Sequence, residues 1–173
     1  MSLLPKLFMF YVGGDVENSN IELHDIRFSV GATPQACYDD LRSQWWGIPK
    51  SLHIDSWAEI THADGYNVSV SHTPSAGAEK LYFLNLGGYT ENDFEEVHKN
   101  TLVVARNQAL AIKKSIQAHA HWIQPHKDAI FALEKVISLT EMFSQKGIYL
   151  NLDPTDEIQP LRFTSKYIRL NRG

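Results

Sequence analysis

The residues best suited to chemistry are two short pairs, Glu22-x-His24 and His53-x-Asp55, which recur as Glu96-x-His98 and His126-x-Asp128. Residues two apart on an extended chain project to the same side, so each pair presents an imidazole and a carboxylate together. That combination suits a divalent-metal site, or a general base held by an acidic partner. All eight are candidate ligands, as two equivalent sites or as one site on a pseudo-twofold axis. The structural alternative is that they cap turns and satisfy buried backbone groups. The pairs name no particular metal or cofactor.

Other candidates carry weaker signals. His119, His121, His126 and Asp128 place four ligand types within ten residues, but their spacing matches no established metal motif. A polar helix end with exposed histidines, which the dipole favours, is the preferred reading. Gly13-Gly14 and Gly87-Gly88 follow apolar runs, yet no helix or P-loop lysine follows them, and Asp15 and Glu17 would repel phosphate. They read as tight turns. Asp15, Glu17, Asn18 and Asn20 lack calcium-loop spacing. Cys37 sits on an inward helical stripe and reads as core. Trp45 and Trp46 cannot both face inward from one helix; one reads as core, the other as a candidate interface residue.

The elements that must position these groups are organised by an internal duplication. Lys6 to Gly31 lands without a gap on Lys80 to Ala105 after a shift of 74, with nine of 26 pairs identical, including Glu22/Glu96 and His24/His98. Within the first copy, Leu7 to Val12 reads as a buried strand and Ile26 to Val30 as a half-buried one. Thr33-Pro34 starts a helix whose inward stripe is Cys37, Tyr38, Leu41 and Trp45, and Gly47 and Pro49 end it. Leu52 to Ile60 reads as a third strand, Asp64-Gly65 as a hairpin turn and Tyr66 to Val70 as a fourth strand. In the second copy Leu81 to Leu86 and Leu102 to Val104 match the first two strands. Asn107 caps a helix with Ile112 and Ile116 facing inward.

Past that helix the gapless register fails. His126-x-Asp128 is taken to answer His53-x-Asp55, and Gly147 to answer Gly65, which gives the second copy nine additional residues. Helix propensity and the repeat conflict over 128–145. The repeat assigns Ile130 to Ile137 to a strand, and we take the strand. The basic tail from Leu161 reads as an edge strand or a mobile end. The expected fold class is α+β: two tandem ββαββ repeats with antiparallel sheets and one main helix each, related by pseudo-twofold symmetry. The expected boundaries are 1–72, a linker at 73–79, 80–154 and a tail at 155–173, the repeats packed as one unit.

Composition narrows the function classes. The net charge of −4 argues against nucleic acid as the main partner. Residues 1–79 carry a net −6 and residues 80–173 a net +2, which suits two facing halves or subunits, including a homodimer. One cysteine excludes an intramolecular disulfide, and no apolar run approaches the roughly 20 residues needed to span a bilayer. A cytoplasmic protein without a membrane partner is expected.

The set of Gly-Gly, IELHD, FSVG, QWWG, KSLHIDSW and a DGY hairpin resembles the bacterial domain of unknown function number 1543, over residues 6–71 and more weakly 80–152. The second copy departs from it: Tyr89 stands for Asp15, Lys99 for Asp25, and Trp122 alone for the tryptophan pair. The resemblance implies a bacterial intracellular origin and brings no activity. With no recognisable catalytic set, the first functional reading is a non-enzymatic module binding a protein or small ligand through the seam between its copies. The alternative is a metal-dependent hydrolase or isomerase built on the duplicated Glu/His/Asp clusters.

Overall fold

The protein, as a computed structural model, is described over residues 4–88, 94–119 and 132–171. It is a mixed fold with antiparallel strand pairing and few helices. The chain divides into two compact units, residues 1–62 with 159–173, and residues 63–158.

Unit 1 is built on β1 (Lys6–Gly14), β2 (Leu23–Gly31) and β3 (His53–Glu59), with β10 (Thr164–Arg169) as the edge strand. The sheet order is β10-β3-β1-β2. Between β2 and β3 a 3-10 turn at Pro34–Cys37 leads into α1 (Tyr38–Gln44). As expected, the Thr33 hydroxyl accepts from the Ala36 amide and Pro34 opens the turn. Phe8, Phe10 and Val12 alternate along β1 and face the same way. They pack with Cys37, Leu41, Leu52, Ile54 and Leu170 into one core, with Trp45 and Trp57 against its edge. The tail is therefore an edge strand in its own unit. The Leu170 amide donates to the Leu52 carbonyl, and Arg42 donates to the Leu170 carbonyl.

Two expectations about unit 1 fail. Gly13 and Gly14 do not form a turn; they are the last residues of β1, paired with His24 and Leu23. The third and fourth strands do not pair. The Asp64-Gly65 turn exists, both residues at positive φ (50° and 80°), but it joins β4 (His62–Ala63) to β5 (Tyr66–Ser71). β5 then pairs with β9 (Tyr149–Pro154) in a separate three-stranded sheet.

In unit 2, β6 (Lys80–Gly88), β7 (Val97–Ala105) and β8 (Ala132–Ser138) form a sheet in the order β7-β6-β8. The β6–β7 register, Lys80 opposite Ala105 through Gly88 opposite Val97, is the β1–β2 register displaced by 74. Asn107 caps α2 (Gln108–Ala118) by accepting from the Leu110 amide. Its inward residues are Ala111 and Ser115, with Ile112 at the margin, while Ile116 is exposed. The helix is thus turned from the expected face, presenting two small side chains to the core. The disputed segment divides: its described first part is strand β8, and Leu139–Ser144 forms α3. Ser138 caps α3, and Leu139 and Phe143, one turn apart, are buried. This unit therefore has a second helix that was not expected.

Candidate functional site

The Glu22-x-His24 and His53-x-Asp55 pairs converge. Gly13 lies between His24 on β2 and His53 on β3, opposite both. A side chain on Gly13 would collide with them: a Cβ there would stand 2.7 Å from His24 Nε2 and 2.8 Å from His53 Nε2. Glycine is needed here for space, since its φ is not positive. The gap it leaves is the site.

A β-bulge supplies the next group. Tyr11 pairs with Ser56 and Val12 with Ile54, so Asp55 is the extra residue of β3. On its other side β10 also shifts register, between Ser165 and Ile168. Bulges re-aim side chains, and this one brings Asp55 beside the histidines. Its Oδ2 is 3.2 Å from His24 Nε2 and 3.5 Å from His53 Nε2. Glu22, just before β2, completes the group, with Oε1 3.5 Å from His24 Nε2 and Oε2 3.7 Å from His53 Nε2.

His53 is 2 % exposed, and its Nδ1 lies 3.0 Å from the Ser51 carbonyl. A carbonyl only accepts, so Nδ1 carries the hydrogen and neutral His53 turns the lone pair of Nε2 into the site. That Nε2 and the Asp55 Oδ2 are both buried without a hydrogen-bond partner. Tyr11 stacks on His24 at 4.9 Å between ring centres, and Tyr167 of β10 lies 4.6 Å from the His53 ring. Burial, then the charges of Asp55 and Glu22, push the Tyr11 phenol above its ordinary pKa. The ligand atoms of Glu22, His24 and His53 lie within 4.8 Å of one another, and Asp55 borders both imidazoles from the side of the bulge.

Of the other candidate ligands, the described ones are Glu96, His98 and His119. Glu96 Oε2 is 3.6 Å from His98 Nε2, but Asn85 takes the place of Tyr11 and its Oδ1 lies 3.3 Å from His98 Nδ1. His126, Asp128 and His121 lie outside the described residues. Opposite Gly87, where His53 would be answered, stands Ala132, and Glu134 holds the bulge position of Asp55. His119 caps the end of α2, its Nδ1 2.8 Å from the Ser115 carbonyl. Trp45 packs at the core edge and donates to the Ile48 carbonyl. Gly14 and Gly47 make room for its ring. Trp46 is 51 % exposed, with Nε1 3.4 Å from Asp25 Oδ2.

Sequence reasoning missed Gly13, Tyr11 and Tyr167 as parts of the site. Gly13 was visible as a glycine kept in both copies but was assigned to a turn.

All four converging residues fall in the stretch that a family model covers. Residues 19–70 match DUF1543, Domain of Unknown Function. The whole chain is also similar to a solved structure, the crystal structure of protein Il1583 from Idiomarina loihiensis. The two are 29 % identical with a TM-score of 0.72, over 98 % of this chain and 99 % of that one. No curated protein matches the chain. Among the described residues no helix is long and apolar enough to cross a membrane.

Proposed function

We propose that unit 1 is a binding module for a divalent first-row transition metal of the zinc class, held by His24 Nε2, His53 Nε2, Asp55 and Glu22. The observation that carries this reading is the buried pair of unpartnered acceptors, His53 Nε2 and Asp55 Oδ2. Buried polar atoms are nearly always satisfied, and two lone-pair atoms 3.5 Å apart cannot satisfy each other without a proton or a cation between them. Four ligands on a tetrahedral ion with bonds of about 2.0–2.1 Å stand roughly 3.4 Å apart. The contacts of the carboxylates with the two imidazoles, 3.2 to 3.7 Å, fall around that value, and Glu22, His24 and His53 lie within 4.8 Å of one another. Mixed imidazole and carboxylate donors suit zinc, iron, nickel or manganese better than the all-oxygen preference of calcium. The His53–Ser51 hydrogen bond is the kind of support that fixes a ligating imidazole. Zinc titration of metal-stripped protein, compared with His53→Ala, tests this reading.

A duplication of one ββαββ unit, with copies at 1–72 and 80–154, underlies the chain in this proposal. What supports it is that the β1–β3 and β6–β8 pairings shift register at matching places, Tyr11/Val12 and Asn85/Leu86, again 74 apart. The second copy has diverged, because Ala132 supplies no imidazole. Among the described residues, unit 1 alone then offers such a ligand group. A second reading, that the chain has a protein partner or forms a homodimer, draws support from exposed Trp46. Sedimentation of wild type and Trp46→Ala tests it: a complex or dimer lost in the variant supports it, and a monomer in both contradicts it.

A further inference from the structure

Unit 1 has a second concavity that the metal site does not use. It is a cleft of about 480 Å³ at the opposite end of β1, lined by the start of that strand, the Thr33-Pro34 turn, β3 and the segment leading into β10. Lys6 at the cleft and Gly13 at the metal site are seven residues apart along one strand, roughly 23 Å at about 3.3 Å per residue. The volume falls within the range of small-molecule sites, about 300–1,000 Å³.

The lining is amphipathic in a definite way. Trp57, half-buried and packed on the core, offers ring surface, and Pro34 and Leu161 add apolar contact. The charged groups are Lys6, Glu59 and Arg162, with His62 at the margin. Lys6 and Glu59 neutralise each other at 2.9 Å. Arg162 is exposed and makes no ion pair among the described residues. The uncompensated charge of the cleft is thus a guanidinium, the side chain whose fork matches carboxylate and phosphate oxygens in pairs. His62 Nδ1 lies 2.9 Å from the Thr61 hydroxyl.

We infer that this cleft binds a small organic anion, a carboxylate or phosphate monoester with a flat apolar body, its anionic group on Arg162 and its body on Trp57. The charged group supplies orientation and the indole supplies buried area. Neither an inorganic anion nor a neutral ring would gain both.

The full chain, stripped of metal, can be titrated with benzoate and phenyl phosphate while the Trp57 indole N–H signal is followed by NMR. Trp57→Phe identifies the signal. Saturable shifts are expected, about tenfold tighter than with acetate, inorganic phosphate or benzyl alcohol. Whichever of benzoate and phenyl phosphate binds tighter assigns the anionic group. Arg162→Ala should weaken binding about tenfold and Arg162→Lys less, because lysine keeps the charge and loses the fork. Glu59→Gln, which releases Lys6, should tighten it. The proposal is overturned if neither probe shifts the signal saturably at about 10 mM, well above a millimolar Kd. It is equally overturned if acetate or phosphate binds as well as the aromatic probes, or if Arg162→Ala binds like wild type.

Discussion

The Nε2 atom of His53 and the Oδ2 atom of Asp55 lie 3.5 Å apart, and each is buried without a hydrogen-bond partner. With the imidazole neutral these are two acceptors facing each other away from water, and a bound cation removes the conflict. A donor would remove it too. Asp55→Asn places an amide hydrogen within reach of Nε2, so the metal-free protein should gain about 1–3 kcal/mol, the usual cost of an unsatisfied buried group. Metal affinity should fall at the same time. Urea melts and zinc titration of the one variant measure both, and a parallel change in the two would contradict the assignment.

Gly13→Ala tests the space that glycine provides. Its new methyl would meet both imidazoles inside 3.0 Å. Overpacking of this kind costs about 1–3 kcal/mol, and zinc binding should be lost with it. Gly77→Ala is the control, because its Cβ would meet only the Ser75 hydroxyl at 3.5 Å. Equal stability of the two variants would mean that the strands at Gly13 readily part.

Leu170→Ala should cost about 2–5 kcal/mol, since Leu170 is 1 % exposed in the unit 1 core. The same lesion should weaken the site, because β10 carries Tyr167 against His53. Denaturant unfolding followed by Trp fluorescence reads the first effect. A change below about 1 kcal/mol would show that the tail is dispensable.

Cys37 is fully buried, and burial pushes its thiol above the ordinary 9.0, a Ser29 hydrogen bond opposing and Asp40 adding. The folded state therefore keeps a proton that the unfolded chain releases. This contribution to stability is complete below the unfolded thiol's pKa and is lost as pH rises past it. Native protein should resist alkylation at about pH 8, and the alkaline fall in stability should begin above about pH 9 and shrink in Cys37→Ala. Rapid alkylation under native conditions would contradict this. The Tyr11, Tyr38 and Tyr82 phenols are raised by burial in the same direction and extend the loss above pH 10.0.

Local signals were legible in the sequence where a few neighbouring residues decide the outcome. Thr33-Pro34, Asn107 and Asp64-Gly65 cap or turn as their chemistry requires. The Glu22/His24 and His53/Asp55 pairs were legible as ligand material from residue type and spacing, but the bulge that brings Asp55 beside the histidines was not. What was not legible depends on partners distant in the chain. Gly13 appears as a turn until His24 and His53 are placed on both sides of it. β5 appears to return on β3 until β9 is available as a neighbour. That Ala132 pairs with Gly87 as His53 pairs with Gly13 is likewise a matter of strand register. The α2 face was misread because Ala111 and Ser115, too small to dominate an apolar pattern, let the helix approach its sheet.

Long-range proton–nitrogen NMR of the histidine side chains during zinc titration of metal-stripped protein is the most direct test. The Nε2 signals of His24 and His53 should shift together and saturate at one zinc per chain, while Nδ1 of His53 keeps its proton toward Ser51. Unchanged Nε2 signals at saturating zinc, or full zinc binding by a His24→Ala/His53→Ala double variant, would show that the converging groups of unit 1 do not form a metal site.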